Sequence, residues 1–152
     1  MKKEKTIEVL NSLIIINNDR IEGYETASKE TEELDLKTLF EKFISTSQKC
    51  KRELVTEVRI LGGEVAEGTK TSGKFFRVWM DLKAALTGKD RKAILNSCEY
   101  GEDEALDTYK EALENDLEHL SAEQQTMILA QKSSLKDDHN HVKALRDALV
   151  DA

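Results

Sequence analysis

The stretch Gly62-Gly63-Glu64-Val65-Ala66-Glu67-Gly68-Thr69-Lys70-Thr71-Ser72-Gly73 decides the architecture. It is crowded with Gly, Ser and Thr and carries no hydrophobic period, whereas the sequence on either side of it does. Just upstream, Leu39, Phe40, Phe43, Cys50, Leu54, Val58 and Leu61 recur every three or four positions. They predict a helix over 36–61 that stops at the paired glycines. Further upstream, Ile7, Leu10, Ile14, Ile21, Tyr24 and Ala27 predict a first helix over 4–32, broken at Glu33-Leu34-Asp35, with Asp35 placed to cap its successor. Val9, Leu13 and Ile16 form a second apolar edge on that first helix. Another segment of the chain or a second subunit has to cover it.

Downstream, Phe75, Phe76, Val78, Trp79, Leu82, Ala85 and Leu86 predict a short amphipathic helix over 74–87 ended by Gly88. Trp79 shares a face with Phe75, Leu82 and Leu86, which suits a packing anchor. Asp90 can cap a helix over 91–117 striped by Ile94, Cys98, Ala105, Leu106, Tyr109 and Leu113. Ser121-Ala122-Glu123-Gln124 has the form of a capping box. It opens a last helix over 122–149 through Met127, Ile128, Leu135, Val142 and Leu145. The turns within the first and last helix pairs are tight, so each pair is antiparallel. The connection between the pairs is long enough to travel the length of a bundle. Two hairpins joined by one long crossover, the short helix lying on the bundle, describe an all-α, ferritin-like four-helix bundle in a single domain over residues 1–152.

Composition agrees. The chain has no proline and only 5% aromatic residues, with 35% charged and 39% hydrophobic, the balance of long helices around one core. Lys and Arg (23) against Asp and Glu (30) leave a net charge of −7 with no basic stripe, which disfavours nucleic acid as a partner. No apolar run has membrane-spanning length and the N-terminus has no signal-peptide stretch, so the expected setting is the cytoplasm, with no membrane partner. Cys50 and Cys98 lack CxxC or Cys/His spacing and read as reduced, half-buried thiols.

Four strings carry a family resemblance: Glu22-Gly23-Tyr24, Arg77 through Gly88, Cys98 through Asp103, and His139 through Asp147. Together they resemble a bacterial family of uncharacterised four-helix-bundle proteins, a domain-of-unknown-function family of the ferritin-like superfamily. The Trp79 segment is the most specific part. The resemblance implies the bundle and no particular activity. Because the wider superfamily includes di-iron carboxylate oxidases and ferroxidases, it also motivates a search for iron or manganese ligands.

Such a centre needs a Glu from each of two helices and Glu-x-x-His from each of the other two, at one height. Counted from the turns, Glu22, Glu25, Glu99, Glu102 and His139 fall in one slab, roughly 15 Å below a bundle end at 1.5 Å per residue. Gly23 and Gly101 lie at the same height, each inside a helix, which asks for close helix approach or room for a ligand. A buried cluster of acids predicts that Glu102→Gln is stabilising.

The ligand set is incomplete. At that height the second helix offers Phe43, Ile44, Ser45, Thr46, Ser47 and Gln48. Lys136 stands where Glu-x-x-His139 needs Glu, and Asn17 stands where a repeat of the Glu102–Tyr109 spacing before Tyr24 needs an acid. Asp138-x-x-His141 turns a different face, and His119 near the last turn reads as exposed. No phosphate loop, nucleophile elbow, HExxH or EF-hand spacing occurs. The sequence therefore favours a non-catalytic bundle that binds a partner or self-associates, through Val9, Leu13 and Ile16 or the Trp79 helix. The alternative is a metal-binding protein with an incomplete di-iron carboxylate site.

Overall fold

The computed structural model describes residues 2–69 and 74–150, leaving aside the side chains of Lys2, Lys74, Phe75, Phe76 and Val150. The described elements are helical: α1 (Lys2–Glu30), α2 (Leu34–Ile60), α3 (Lys74–Gly88), α4 (Arg91–Asn115), a 3₁₀ turn (Leu117–His119) and α5 (Ala122–Val150). The expected loop is thus seen over residues 62–69, while Lys70–Gly73 and the side chain of Phe75 lie outside what is described.

Helix boundaries follow from local chemistry. Gly62 takes φ +76°, and the Gly62 and Gly63 amides bond back to the carbonyls of Arg59 and Val58, so the glycine pair closes α2 as a Schellman motif. The Asp90 carboxylate accepts from the amides of Lys92 and Ala93, capping α4. At α5 the capping box is reciprocal: the Gln124 amide donates to Ser121 Oγ at 3.1 Å and the Ser121 amide to Gln124 Oε1 at 2.9 Å. Two expectations shift. The N-cap of α2 is Glu33, which makes no side-chain cap bond, and Asp35 sits in the first turn with both its carboxylate oxygens on Arg91. The residue that turns the chain after α3 is Lys89, at φ 56°, rather than Gly88.

Contacts along α1 fix the topology. At one end Thr6 donates a hydrogen bond to the His119 carbonyl; near the other, Arg91 at the start of α4 pairs with Glu33 and Asp35. So α1 and α5 run one way, and α2 and α4 the other. The crossover climbs beside α1: Gly63 faces Ile7, Asn11 bonds Glu64 and Ala66, Asn18 bonds Gly68, Trp79 faces Gly23 and Lys89 reaches Glu32. It spans the long axis.

Burial within the single chain corrects one reading of α1. Val9, Leu13 and Ile16 are not a face left for a second subunit: they are 5%, 0% and 5% exposed within the single chain. They belong to a cluster with Tyr109, Ala112, Leu120 and Ile128, against which the crossover residues Leu61, Val65 and Ala66 pack. The other half of the core gathers Tyr24, Leu36, Phe40, Phe43, Leu82, Leu86, Leu95, Cys98 and Val142. A polar layer separates the two halves.

Candidate functional site: an arginine at the bundle centre

The separating layer is built by polar residues on the inward stripes of all four long helices. Arg20 follows Ile16 and Asn17 on α1, Ser47 lies between Phe43 and Cys50 on α2, Glu102 between Cys98 and Ala105 on α4, and Asp138 between Leu135 and Val142 on α5. Helical geometry therefore aims all four inward. Each of the four is at most 2% exposed.

The Arg20 guanidinium organises the layer. Its Nε and Nη2 donate to Glu102 Oε2 and Oε1 at 2.8 and 2.6 Å, a bidentate fork. Nη1 donates to Ser47 Oγ at 2.5 Å, and Nη2 also reaches Asp138 Oδ2 at 3.2 Å. The flat cation lies 5.6 Å from the centroid of Tyr24 and 5.8 Å from that of Phe43. Burial works to lower the Arg20 pKa, but the charge and hydrogen bonds of Glu102 outweigh it and hold the cation above its ordinary range. Burial pushes the Glu102 carboxyl up, and Arg20 pulls against that push.

Toward the Val9–Tyr109 half of the core a neutral chain continues the layer. Asn17 Nδ2 donates to the Tyr109 hydroxyl at 2.8 Å, which donates to Gln131 Oε1 at 2.7 Å; Gln131 Nε2 in turn donates to the Cys50 carbonyl and to Glu53. Tyr109 thus bonds amides rather than the carboxylates. Burial raises both tyrosine hydroxyls well above their ordinary range. It also raises the Cys50 thiol, to about 11, and the Cys98 thiol further.

The five residues expected to share a slab divide three ways. Glu102 is in the centre, bound to Arg20. Glu99 and His139 meet at the α4–α5 seam, where His139 Nε2 stands 4.0 Å from Glu99 Oε1 and 2.8 Å from Asp103 Oδ1. Glu22 and Glu25 are exposed on the opposite side of α1, lining a groove of about 850 Å³ that Lys51, Arg52 and Arg59 of α2 also line. Helical phase accounts for the division: residue 22 is two positions past Arg20, a rotation of roughly 200° that turns it away from the core.

The centre does not fit a dinuclear metal. Two of the acids that would bridge the ions point to solvent, Ser47 stands where α2 would need a carboxylate, and the remaining pair of acids, Glu102 and Asp138, already holds a cation. The nearby cavity beneath α3, lined by Arg20, Tyr24, Trp79 and Cys98, has only about 20 Å³, about the space of one water. Gly23 and Gly101 serve close approach: a Cβ at these positions would stand 3.2 Å from Trp79 Cε3 and 3.3 Å from Val78 Cγ1. The two glycines seat the crossover helix.

Among the described residues, no helix is long and apolar enough to cross a membrane. No curated protein matches the chain. A family model described as "Domain of unknown function (DUF2383)" matches residues 5–115, which run from α1 to the end of α4 and leave α5, with its His139–Asp147 string, outside the match. The chain belongs to this family of unknown function.

Proposed function

We propose that this protein is a ferritin-like bundle in which an arginine takes the place of the metal centre, and that it acts as a non-catalytic binding or self-associating protein in the cytoplasm. The observation that carries the reading is the Arg20 fork on Glu102, with Asp138 and Ser47 completing it from the other two helices. A buried cation supplies there the positive charge that acids facing a bundle core require, without redox chemistry. The two unpaired cysteines suit a reducing compartment. With Val9, Leu13 and Ile16 buried, a partner surface has to use other apolar groups. Met80 on the crossover helix, 49% exposed, belongs to the element already considered for that role.

The competing reading, an iron- or manganese-binding bundle with an incomplete dinuclear site, loses Glu22 and Glu25 as ligands but keeps Glu99 and His139 in proximity. The test is metal analysis of protein purified without chelator, then anaerobic Fe(II) titration followed by exposure to dioxygen. The proposal expects no two-iron uptake and no iron oxidation above the buffer rate. Two irons per chain, lost on Glu102→Ala, would overturn it. For association, sedimentation of wild type and Met80→Asp over a range of concentrations is expected to show a dimer that the substitution weakens.

A further inference from the structure

We propose that Glu99 and Asp103 of α4 and His139 of α5 form a mononuclear site for a borderline divalent transition-metal ion, with zinc as the probe. One ligand atom from each residue lies within 4.8 Å of the others. The donor set, one imidazole and two carboxylates, is a usual one for such ions, with water completing the shell.

Three features aim the donors at a common point. The His139 ring is almost wholly enclosed, with 9% of its side chain exposed, so its direction is fixed by packing. Arg146 Nη1 holds Glu99 Oε2, leaving Oε1 to face the imidazole. Such an outer partner orients a ligating carboxylate. The third feature is the placement of Asp103: its Oδ1 stands 2.8 Å from His139 Nε2, the same ring nitrogen that Glu99 Oε1 faces at 4.0 Å, so both carboxylates converge on one imidazole nitrogen. A metal bound there takes the Nε2 lone pair, and any proton on that nitrogen leaves to solvent.

The geometry needs modest adjustment. Ligand atoms on a tetrahedral ion with bonds near 2.0–2.1 Å stand roughly 3.3 Å apart, between the 2.8 and 4.0 Å found here. Asp103 is half-exposed and gives both an entry path and room for water. The site lies outside the Arg20 layer and uses none of its groups, so it stands or falls separately from the non-catalytic reading.

The experiment is calorimetric titration of the full chain with Zn²⁺, with Co²⁺ absorption as the signature of a tetrahedral shell. Wild type is expected to bind one equivalent. His139→Ala and Asp103→Asn should each abolish that binding, and Arg146→Ala should weaken it about 10–100-fold. Asp103→Asn is the variant that keeps the test decisive should His139→Ala unfold, since its side chain is half-exposed. Absence of saturable binding, or one-equivalent binding that survives Asp103→Asn, would overturn the proposal. A failure here leaves the arginine-centred bundle intact, whereas two-iron uptake would sink that bundle's reading alone.

Discussion

Both carboxylate oxygens of Glu102 are held by one guanidinium, that of Arg20, 82 residues away in the chain, at 2.8 and 2.6 Å. Neither side chain is more than 1% exposed. The pairing reverses an expectation drawn from the sequence, that removing the Glu102 charge would stabilise the fold. In Glu102→Gln one acceptor becomes an amide donor facing a guanidinium donor, and a buried cation loses its main partner. The variant is expected to lose about 2–4 kcal/mol, because breaking a buried pair leaves an uncompensated charge. Thermal or urea unfolding checks this.

Trp79 and Gly23 set the position of the crossover helix. A Cβ at Gly23 would meet Trp79 Cε3 at 3.2 Å, so Gly23→Ala asks the ring to yield a few tenths of an ångström, and helix propensity returns about 1 kcal/mol. Gly23→Ile recovers less propensity and drives a branched side chain into the ring. It is expected to lower the melting temperature and red-shift the emission of the chain's single tryptophan, while Gly23→Ala does neither by much. Fluorescence during thermal melts reads both.

Lys89 carries a left-handed backbone, φ 56°, that its Cβ disfavours by about 1–2 kcal/mol. Its ion pair with Glu32 is largely exposed on both sides and offsets little of this. Lys89→Gly is therefore expected to stabilise the protein by about 0.5–1 kcal/mol in urea unfolding. Gly88, whose Cβ position is open and which needs no positive φ, should accept Ala without loss.

Cys50 and Cys98 are each at least 97% buried, with relative exposures of 3% and 2%. Burial pushes the Cys50 thiol from 9.0 to about 11, which lowers its thiolate population about a hundredfold. The Cys98 thiol is pushed up further, again by burial. Neither is expected to react with an aromatic disulfide reagent at pH 8 until the protein unfolds. The labelling rate should follow denaturant concentration through the unfolding transition.

Much of the fold was legible because its signals are local: the Gly62-Gly63 stop, the Asp90 cap, the Ser121–Gln124 box and the three-to-four spacing of Leu, Ile and Phe. The centre was half legible. Counting from the turns set His139 opposite residue 99, and these two side chains do approach each other; it also found neither carboxylate nor histidine over residues 43–48 of α2, the stretch that holds Ser47. Arg20 was missed, although the clue was in the pattern. Arg20, Ser47, Glu102 and Asp138 all interrupt apolar stripes at core positions, and a charged residue there requires a partner on another helix. Glu22 and Glu25 misled because height is counted in steps of 1.5 Å but direction in steps of 100°. An error of two residues is small in the first and half a circle in the second. The burial of Val9, Leu13 and Ile16 comes from packing with residues far along the chain, among them Tyr109, Ala112, Leu120 and Ile128, which no local signal encodes.

The most direct test of the arginine-centred core is a double-mutant cycle on Arg20→Met and Glu102→Leu, read by urea unfolding. Each single variant leaves charge buried without its partner and should lose several kcal/mol, about 3–5 for Arg20→Met. The double variant should lose less than the sum, with a coupling of about 1.5–3 kcal/mol. Losses that add to within about 0.5 kcal/mol would contradict the pairing and the layer built on it.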